Sequence, residues 1–519
     1  MSEPALVAET QSAPVSFQVK ILHNNPGNPD NPVECRRNMR ALPRWRGWLL
    51  VAATIASACT SATSITGISG ASGSLPPSRL SSRQAAFLDT LQRRTFNWFW
   101  ERSDPNNGLT PDRWPTKSFS SVAAVGFALT AYPVGVERGY ISRADAAQRT
   151  LNTLRFMYNA PQGAQASNVT SYKGFFYHFL DMQTGYRFEQ VELSTIDTSL
   201  LLGGVLFCQS YYTGSDPVES AVRAYADSLY LRVDWQWAIH TSPYVSMGWK
   251  PEDGWIPADW RGYDEGMIVY VLALGSPTHP IDPAAWAGWT ETYKWADFYG
   301  QTHVNFPPLF GHQYSHIWIE FRGIQDAYMR GKGIDYFENS RRATISQRSY
   351  AIDNPGKWNG YGANVWGLTA GDGPFDTTFV VGGRTRQFFT YRARGAAADG
   401  IEDDGTIAPT AAGGSVAFAP ELTIPALIAM REKYGDNLFG PYGFVDDFNP
   451  TLVSGQSRYG RIVPGVGWFD TDYLGIDQGP IVAMIENYRS DLIWKTMRKN
   501  PYIVAGLKKA GFTGGWLGN

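Results

Sequence analysis

Apolar residues recur at intervals of three and four positions through most of the chain from residue 82 onward. Each such run predicts a helix with one apolar face, so this spacing favours a helical fold over a sheet-based one. The clearest runs lie at 82–100, 121–132, 143–158, 194–212 and 219–240, and later runs begin near Glu265, Trp286, His316, Asp335, Glu421 and Gln478. Together they predict about eleven or twelve helices joined by loops rich in Gly, Pro and Trp.

Strand signals are sparse by comparison. A β-hairpin is expected at 174–188, and a second hairpin or a substrate-covering loop at 373–408. No change of composition divides 82–519, so we predict one all-α domain over that range. The helices alternate between more and less apolar, as expected where an inner ring packs inside an outer ring. An (α/α)6 barrel, or toroid, fits this pattern, although the spacing alone equally allows an α-solenoid.

The N-terminal region needs separate treatment. Residues 1–38 are polar and are interpreted as a disordered or misassigned upstream extension of a chain that starts at Met39. A basic stretch and a short apolar stretch follow Met39, and small residues then precede Cys59. This order predicts a secretory signal at 39–59, which is too short for a stable membrane span.

The small residues before Cys59 resemble a bacterial lipoprotein signal, in which the Cys is lipidated after cleavage. The alternative is an ordinary cleaved signal with an incidental Cys. Residues 60–81 are rich in Ser, Gly and Thr and are predicted to form a flexible tether. We therefore expect an exported protein, in the periplasm or on the outer membrane of a bacterium, with Cys59 as the candidate lipid anchor.

Composition narrows the classes of partner. Charged residues make up 18% of the chain and the formal net charge is -2, with no basic stripe outside the N-terminal region, so nucleic acid is not an expected partner. Aromatic residues make up 14%, which indicates either a wide helical core or a carbohydrate cleft lined with stacking rings. Cys208 lies alone in an apolar run and is predicted to be a buried thiol.

An acidic pair stands at the start of the run WRGYDEGMIVYVLALGSPTHP. Asp264 and Glu265 precede a strongly apolar helix, with Trp260, Arg261 and Tyr263 just before them. Aromatic faces stack on pyranose rings, and a carboxyl group in an apolar wall has a raised pKa, so it can act as an acid near neutral pH. The pattern is typical of sugar-cleaving sites; the alternative is an ordinary acid pair in the first turn of a helix.

Three other segments also place acids at helix starts or in loops. Asp197 falls in the first turn of a predicted helix that Ser194 or Thr195 could cap, and this capping role would explain it adequately. Asp446 lies in the loop GPYGFVDDFNP, and Asp477 opens the helix that follows GWFDTDYLG. Either loop could supply a base, although Asp-rich loops are commonly only turns and caps.

The segment FGHQYSHIWIEFRG carries His312 and His316, which a helix would place on one face. Metalloprotease helices have Glu beside the first His, whereas Gln313 stands there, so no metal is expected. Hydrogen bonds from His312, Gln313 or His316 to sugar hydroxyls are the favoured interpretation. The candidate stacking residues for sugar rings are Trp114, Trp249, Trp255, Trp260 and Trp366.

Other catalytic patterns are missing from the sequence. It contains no G-x-S-x-G elbow, no P-loop, no dinucleotide-binding fingerprint and no cluster of Cys residues. Acids and aromatics dominate the candidate sites instead. Two carboxyl groups that act across a glycosidic bond are the chemistry that these residue types support.

Seven strings carry a resemblance to a known family: RTFNWFW, STIDTSLLLGGVL, RGYDEGMIVYVLALGSPTHP, GHQYSHIWIEFRG, DGTIAPTAAGGS, YGFVDDFN and YLGIDQGPIVAMIENYR. They run in order from about residue 93 to 495, and the sequence resembles the glucoamylase-like family of bacterial proteins, which includes glycoside hydrolase family 144. The resemblance implies an (α/α)6 barrel and hydrolysis of β-1,2-glucan to short sophoro-oligosaccharides, with inversion at the anomeric carbon.

The resemblance also implies roles for single residues. Glu265 falls on the family's candidate general acid. Asp197 and Ser194 depart from the family, because relatives tend to have Glu at the first position and can have an acid at the second. Asp446 and Asp477 are then the candidates for the base, with Asp446 slightly ahead. A monomer without a cofactor is expected, with a glucan as partner.

Three alternatives stay open on the sequence. The first is a transglycosylase, since related modules of this family act in that way. The second is a hydrolase of another glucan linkage. The third is a non-catalytic lipoprotein that binds glycan in the same cleft.

Overall fold

Most of the predicted helical runs form helices in the computed structural model, which describes residues 80–518. The predicted extension, the signal, Cys59 and residues 60–79 of the tether lie outside the described residues. Within the described range the α-helices are α1 Ser82–Arg102, α2 Val122–Glu137, α3 Arg143–Asn159, α4 Thr195–Tyr211, α5 Pro217–Leu231, α6 Met267–Gly275, α7 Ala284–Glu291, α8 Tyr314–Trp318, α9 Ala327–Lys332, α10 Tyr336–Asp353, α11 Pro409–Gly413, α12 Pro420–Tyr434, α13 Gly475–Ser490, α14 Leu492–Met497 and α15 Pro501–Lys509. Short 3-10 helices lie at Leu309–His312, Gly435–Asn437 and Gly515–Leu517.

Several helix starts follow from local chemistry in the sequence. The side chain of Ser81 accepts the backbone N–H of Gln84, and the side chain of Gln84 accepts the N–H of Ser81, which completes a capping box at α1. Ser121 and Ser194 cap α2 and α4 in the same way, each accepting a backbone N–H three residues on. The predicted starts near residues 82, 121 and 194 are therefore confirmed.

Six helices contact one another in a closed series. Helix α2 contacts α4, α4 contacts α6, α6 contacts α8, α11 contacts α13, and α13 contacts α2. Between α8 and α11 the series is completed by Gln313, whose Nε2 donates to the backbone oxygen of Ala411 at 2.9 Å. Helices α1, α5, α12 and α15 pack on the outer sides of this series, and α3 packs against both α2 and α5. Helices α2, α4, α6 and α13 are buried on nearly all faces, which agrees with the predicted alternation of apolar and less apolar helices.

The strands are short, antiparallel and confined to the connections between helices. The pairs are Arg113–Trp114 with Tyr473–Leu474, Ser120–Ser121 with Phe179–Leu180, Ser171–Tyr172 with Phe175–Phe176, Trp295–Phe298 with Gln301–Val304, Ala370–Gly371 with Arg392–Ala393, Thr377–Val381 with Arg384–Phe388, Gly395–Ala397 with Gly400–Glu402, and Phe439–Gly440 with Gly443–Phe444. Three-stranded sheets contain Leu193–Ser194, Gly248–Lys250 and Gly254–Trp255, and Phe448–Asn449, Gly467–Phe469 and Arg461–Val463.

The structure corrects one of the two predicted hairpins. The hairpin within 373–408 is confirmed, because Thr377–Val381 pairs with Arg384–Phe388. The hairpin predicted at 174–188 is wrong. Its first half pairs backwards with Ser171–Tyr172, and Phe179–Leu180 pairs with the strand just before α2. This pairing between distant segments brings the segment that follows Phe176 to the start of α2.

A single continuous cluster of buried apolar side chains fills the interior between the helices. Cys208 lies in it with no exposed surface, and its Sγ donates to the backbone oxygen of Leu129 at 3.1 Å, so the predicted buried thiol is confirmed. Among the described residues, none of the helices combines the length and the apolar character needed to cross a membrane. The described residues belong to one compact unit.

Candidate active site

Hydrogen bonds between neighbouring segments bring the N-terminal ends of the six contacting helices together. The backbone N–H of Phe176, beside the start of α2, donates to Thr198 Oγ1 near the start of α4; Ser315 Oγ of α8 donates to the backbone oxygen of Glu265 before α6; Thr410 Oγ1 of α11 donates to the backbone oxygen of Asp477 in α13; and the N–H of Gly475 donates to the backbone oxygen of Asp112. A helix N-terminus carries partial positive charge, so this end of the helix series favours carboxylates.

Glu265 forms the first acidic wall, immediately before α6. Asp264 is buried beside it and accepts the N–H of Gly266 on Oδ1 at 2.7 Å, which makes the turn that starts α6 at Met267 rather than at Glu265. Burial raises the pKa of Asp264 to about 8. Burial also raises the pKa of Glu265 well above its ordinary value, and the nearby carboxylates of Asp197 and Asp264 add to this rise. Glu265 therefore holds a proton near neutral pH.

Asp197 stands close to Glu265, in the first turn of α4. Its carboxylate accepts the hydroxyl of Ser194 at 2.5 Å and faces the imidazole of His178, with Nε2 at 3.5 Å from Oδ2. The other ring nitrogen of His178, Nδ1, lies 2.8 Å from Glu192 Oε1. Burial lowers the pKa of His178, but the carboxylates of Asp197 and Glu192 outweigh burial and raise it to about 9.

A second acidic wall forms around Asp446, in the loop between two short strands. Asp446 Oδ2 accepts the backbone N–H of Asp372 at 2.8 Å, and the carboxyl groups of Asp446 and Asp477 are hydrogen-bonded to each other. Burial and the Asp372 carboxylate raise the pKa of Asp446 to about 7, whereas the hydrogen bond with Asp477 opposes this rise. Burial, the charge of Asp446 and the same hydrogen bond all raise the pKa of Asp477. The shared proton thus belongs to Asp477 and the negative charge to Asp446.

Arg113 supplies the positive charge beside this second wall. Its Nη1 donates to Asp372 Oδ2 at 2.5 Å, its Nε donates to Asp112 Oδ2 at 3.2 Å, and Asp472 Oδ2 is 4.0 Å from Nη1. Asp372, Asp446 and Asp470 each offer a carboxylate oxygen within 4.8 Å of the others, a spacing that a metal ion could bridge. The guanidinium of Arg113 already pairs with one member of this set, so we assign no metal to it.

Asp447 has a different role from its neighbour Asp446. Its Oδ2 lies 3.4 Å from Nη1 of Arg394, which is almost completely buried. Arg394 Nε donates to Asp404 Oδ1 at 2.7 Å, and Nη1 donates to the backbone oxygens of Gly371 and Asp372 at 2.9 and 3.1 Å. Arg394 therefore ties together the loops that carry Asp372 and Asp446, behind the cleft.

Tyr314, at the start of α8, faces both acidic walls. Burial raises the pKa of its hydroxyl well above the ordinary value, and the charges of Asp477 and Glu265 add to this rise. Tyr391 lies near the second wall, where burial and then the charges of Asp477 and Asp446 raise its pKa. The two acidic walls thus lie on opposite sides of Tyr314.

Not all of the predicted stacking rings can reach a ligand. Trp366 has no exposed surface, Trp260 is 6% exposed and donates its Nε1 to Thr195 Oγ1 at 2.9 Å, and Tyr263 is buried against Tyr336. These three predictions are corrected, because rings packed inside the protein have no face left for a sugar. Trp260 instead supports the turn at Gly266 from below.

The other predicted rings keep accessible surface. Trp114 is half-buried, with the guanidinium of Arg102 over it at 4.6 Å, and Trp249 and Trp255 are half-buried on neighbouring strands. Arg261 is exposed and stacks on the ring of Tyr244 at 3.8 Å. These four side chains stay candidates for contact with a ligand.

His312 and His316 do not share one helical face, so that prediction is wrong. His312 ends a 3-10 helix, and His316 belongs to α8, which begins after a break. Both are 1% exposed: His312 Nε2 lies 3.1 Å from the backbone oxygen of Phe306, and His316 Nε2 lies 3.1 Å from Ser340 Oγ. Burial lowers the pKa of His316 to about 3. Both are neutral core residues rather than sugar ligands.

Gln313 is likewise engaged inside the protein. It is 1% exposed, and its Nε2 donates to the backbone oxygen of Ala411 at 2.9 Å and to Ser415 Oγ at 2.8 Å. Its predicted contact with sugar is corrected to a link between α8 and α11.

The sequence interpretation missed His178, Arg113, Asp372, Tyr314 and Tyr391. Asp372 lies between two glycines in the triplet GDG, which is a turn signal that could have marked it. His178 and Arg113 reach the cleft only because the strands Phe179–Leu180 and Arg113–Trp114 pair with distant segments. Sequence spacing carries no signal for such pairing.

Comparisons with known proteins agree with this geometry. The model of the Glycoamylase family, described as "Putative glucoamylase", matches residues 257–501. A "putative glucoamylase" of known structure from Bacteroides fragilis is 32% identical, covers 85% of this chain and is covered over 100% of its own length, with a TM-score of 0.71. The structure of an endo-β-1,2-glucanase from Chitinophaga pinensis, with sophorotriose and glucose, is 29% identical and covers 84% of this chain and 99% of its own, with a TM-score of 0.70.

A curated relative adds a third similarity. The exo β-1,2-glucooligosaccharide sophorohydrolase (non-reducing end) of Parabacteroides distasonis is 30% identical over 457 residues, which is 81% of this chain and 57% of that protein. The chain thus spans little more than half the length of this relative. Since the similarity to the Bacteroides fragilis structure extends over that whole structure, the chain belongs to the glucoamylase-like family.

Proposed function

We propose that this protein hydrolyses β-1,2-glucan by an inverting acid and base mechanism. One observation carries the proposal: two acidic walls face Tyr314, one with a protonated Glu265 and the other with an ionised Asp446. Inverting glycosidases need one carboxylic acid and one carboxylate on opposite sides of the bond that breaks.

Glu265 is the proposed general acid. Its proton is held near neutral pH by burial and by the charges of Asp197 and Asp264. It is also the accessible member of the acidic pair, whereas Asp264 is buried in the turn. Proton transfer from Glu265 to the leaving oxygen, directly or through a water or a substrate hydroxyl, lets the bond break without release of an alkoxide.

Asp446 is the proposed general base. The hydrogen bond with Asp477 and the backbone N–H of Asp372 favour its ionised form, and Arg113 adds to this effect. Asp477 holds the shared proton, so it positions Asp446 rather than accepting a proton itself. In an inverting site the carboxyl groups of acid and base are about 6.5–9.5 Å apart, which leaves room for the attacking water.

The substrate class is supported by the two relatives that cleave β-1,2-linked glucose, one of them solved with sophorotriose. The half-buried rings of Trp114, Trp249 and Trp255 suit stacking on glucose units. We also infer that the closed helix series is the inner layer of an (α/α)6 toroid, whose outer layer includes α1, α3, α5, α12 and α15.

Release of reducing ends from linear β-1,2-glucan tests this function. We expect release by the wild type and a loss of at least about a hundredfold in kcat for Glu265→Gln, because a general acid contributes rate factors of this size. Glu291→Gln is the matched control, because Glu291 is exposed at the end of α7, and its kcat should match the wild type.

Product analysis separates the alternatives. An inverting hydrolase yields the α-anomer first, which proton NMR detects before mutarotation. Transfer without a net gain of reducing ends would indicate a transglycosylase. Saturable binding of glucan without turnover, unchanged in Glu265→Gln, would indicate a glycan-binding protein and contradict the proposal.

We further propose that the protein is exported and lipidated on Cys59. The support is the order of basic, apolar and small residues at 39–59. Labelling with a palmitate analogue should mark the wild type and Cys35→Ser but not Cys59→Ser. Equal label in both variants, or no label in the wild type, would contradict lipidation.

A further inference from the structure

His178 is held between two carboxylates beside the proposed acid. Its Nδ1 lies 2.8 Å from Glu192 Oε1 and its Nε2 lies 3.5 Å from Asp197 Oδ2. A neutral imidazole has one donor nitrogen and one acceptor nitrogen, whereas an imidazolium has two donors. Because an acceptor faces each nitrogen, the geometry fits the imidazolium.

The surroundings fix the ring in this place. The imidazole stacks on the ring of Phe179, with centroids 3.9 Å apart. The backbone N–H of His178 donates to the backbone oxygen of Glu192 at 2.9 Å, and its carbonyl oxygen accepts the N–H of Val122 at 3.2 Å. His178 is thus anchored to the start of α2 and to the segment before α4.

The charged groups around the ring come from three segments. Glu192 and Asp197 face it directly, and Asp112 adds a smaller attraction from the loop before Arg113–Trp114. On the other side of Asp197 stands Glu265, with Asp264 behind it. Among the groups that affect His178 and Glu265 most strongly, His178 is the cation between these acids.

We propose that His178 is a positioning residue: as an imidazolium it holds Asp197 in the carboxylate form on the wall that carries Glu265. This inference rests on the proposed hydrolysis. An ionised Asp197 keeps the proton on Glu265 until the leaving oxygen takes it. The same negative charge offsets the positive charge that develops on the sugar ring in an oxocarbenium-like transition state.

Loss of the imidazolium has a definite sign. An opposite charge within hydrogen-bonding range lowers the pKa of a carboxyl group by about 1–3 units, so without His178 the pKa of Asp197 rises. Asp197 is then protonated at a pH at which it is ionised in the wild type. The loss of activity should therefore be large at low pH and should shrink as pH rises and Asp197 ionises again.

The test compares kcat of His178→Gln, Asp197→Asn and the double variant in the full chain on linear β-1,2-glucan. We expect His178→Gln to lower kcat at pH 7 by about tenfold or more, since a shift of one unit changes the ionised fraction by that factor. The deficit should narrow by pH 9. In the Asp197→Asn background, His178→Gln should change kcat by less than about twofold, as for two residues that act as one unit.

His279→Gln is the matched control, because His279 lies after α6 with only its backbone N–H bonded, to Ser276 Oγ. It should leave kcat unchanged at every pH, and thermal unfolding should show that all variants are folded. An equal loss at every pH in His178→Gln, or full additivity with Asp197→Asn, would mean that the role of His178 is only structural and would overturn the proposal.

A second readout needs no turnover. The imidazole nitrogen shifts of His178 should be those of an imidazolium at pH 7, and the midpoint of its titration should fall in Asp197→Asn. A neutral ring at pH 7 would overturn the proposal about His178. Absence of hydrolysis by the wild type together with a charged ring would count against the proposed function alone.

Discussion

At the scale of single residues, the two acidic walls differ in what controls each proton. Glu265 keeps its proton through burial and neighbouring negative charge. Asp446 loses its proton because Asp477 donates to it and Arg113 lies near. The same residue type thus serves in opposite protonation states, which is the arrangement that acid and base catalysis requires.

The pH dependence of kcat/KM should follow from these states. Asp446 must be ionised, so activity should rise as pH rises through about 7, the raised pKa of Asp446. Glu265 must be protonated, so activity should fall at higher pH, as its own raised pKa is passed. Arg113 lowers the pKa of Asp446, so Arg113→Gln should move the rising limb to higher pH.

Arg83→Gln is the control for this shift, because Arg83 is exposed at the start of α1 and pairs with Glu432 far from the cleft. Its pH profile should match the wild type. A rising limb that stays in place in Arg113→Gln would show that Asp446 does not set it.

At the scale of elements, α2 and α4 approach so closely that side chains are excluded between them. A Cβ added at Gly204 would lie 2.1 Å from the backbone oxygen of Gly126, and one added at Gly126 would lie 2.3 Å from the backbone oxygen of Leu200. Backbone atoms cannot move aside as a flexible side chain can. Glycine at these two positions is therefore required by packing.

Gly204→Ala should destabilise the protein, against the helix propensity of Ala. Ala is favoured over Gly in a helix by about 1 kcal/mol, but overpacking costs about 1–3 kcal/mol or more and dominates here. Gly331→Ala is the matched control, because Gly331 lies exposed in α9 with open space around its Cα. It should raise the free energy of unfolding by about 0.5–1 kcal/mol, measured by urea denaturation. Stabilisation by Gly204→Ala would contradict the close approach.

Arg394 links the loops that carry the second acidic wall. Arg394→Met should lower the free energy of unfolding by about 3–5 kcal/mol, because it leaves the buried Asp404 carboxylate without its partner. Burial alone would raise the pKa of Asp404, but Arg394 outweighs it and holds the pKa below its ordinary value. The pair therefore stabilises the fold above pH of about 4, and this contribution is lost as pH falls further.

Arg392→Met provides the comparison for Arg394. Arg392 pairs with Glu402 at 3.1 Å, with both side chains partly exposed, so its loss should cost less than about 1 kcal/mol. Similar costs for the two variants in thermal unfolding at pH 7 would show that burial of the Arg394 pair has little effect.

At the scale of the whole molecule, the C-terminal segment holds α6, and thereby Glu265, in place. Helix α15 packs on α6, with Ile503 and Leu507 buried, and Lys509 Nζ donates to the backbone oxygen of Leu274 at 2.9 Å. Beyond α15, Trp516 Nε1 donates to the backbone oxygen of Glu320 at 2.9 Å. The last residues of the chain thus complete the packing around a site that none of them enters.

Leu507→Ala should lower the free energy of unfolding by about 2–5 kcal/mol, because it opens a cavity between α15 and α6. We expect one transition, coincident in circular dichroism and tryptophan fluorescence, because a single core joins the helices. Lys508→Ala, one residue on and exposed, should change stability by less than about 0.5 kcal/mol. A separate early transition of α15 would contradict its place in the common core.

The sequence by itself determined most of the helices, the buried state of Cys208 and the acidic pair before α6. These features depend on local spacing, capping and burial, which neighbouring residues in the chain decide. The candidates Glu265, Asp446 and Asp477 were identified from their places at helix starts and in loops, and the resemblance to a family assigned Glu265 its role.

Only the tertiary structure decided which of these acids share a proton and what surrounds them. Asp372 and Arg113 reach Asp446 through long-range pairing, and His178 reaches Asp197 through a strand that joins the start of α2. Burial separated Trp114, Trp249 and Trp255 from Trp260 and Trp366, which the sequence could not distinguish. The physical reason is that burial and charge at a side chain are set by residues far away in sequence, whereas helix periodicity and capping are set by residues within a few positions.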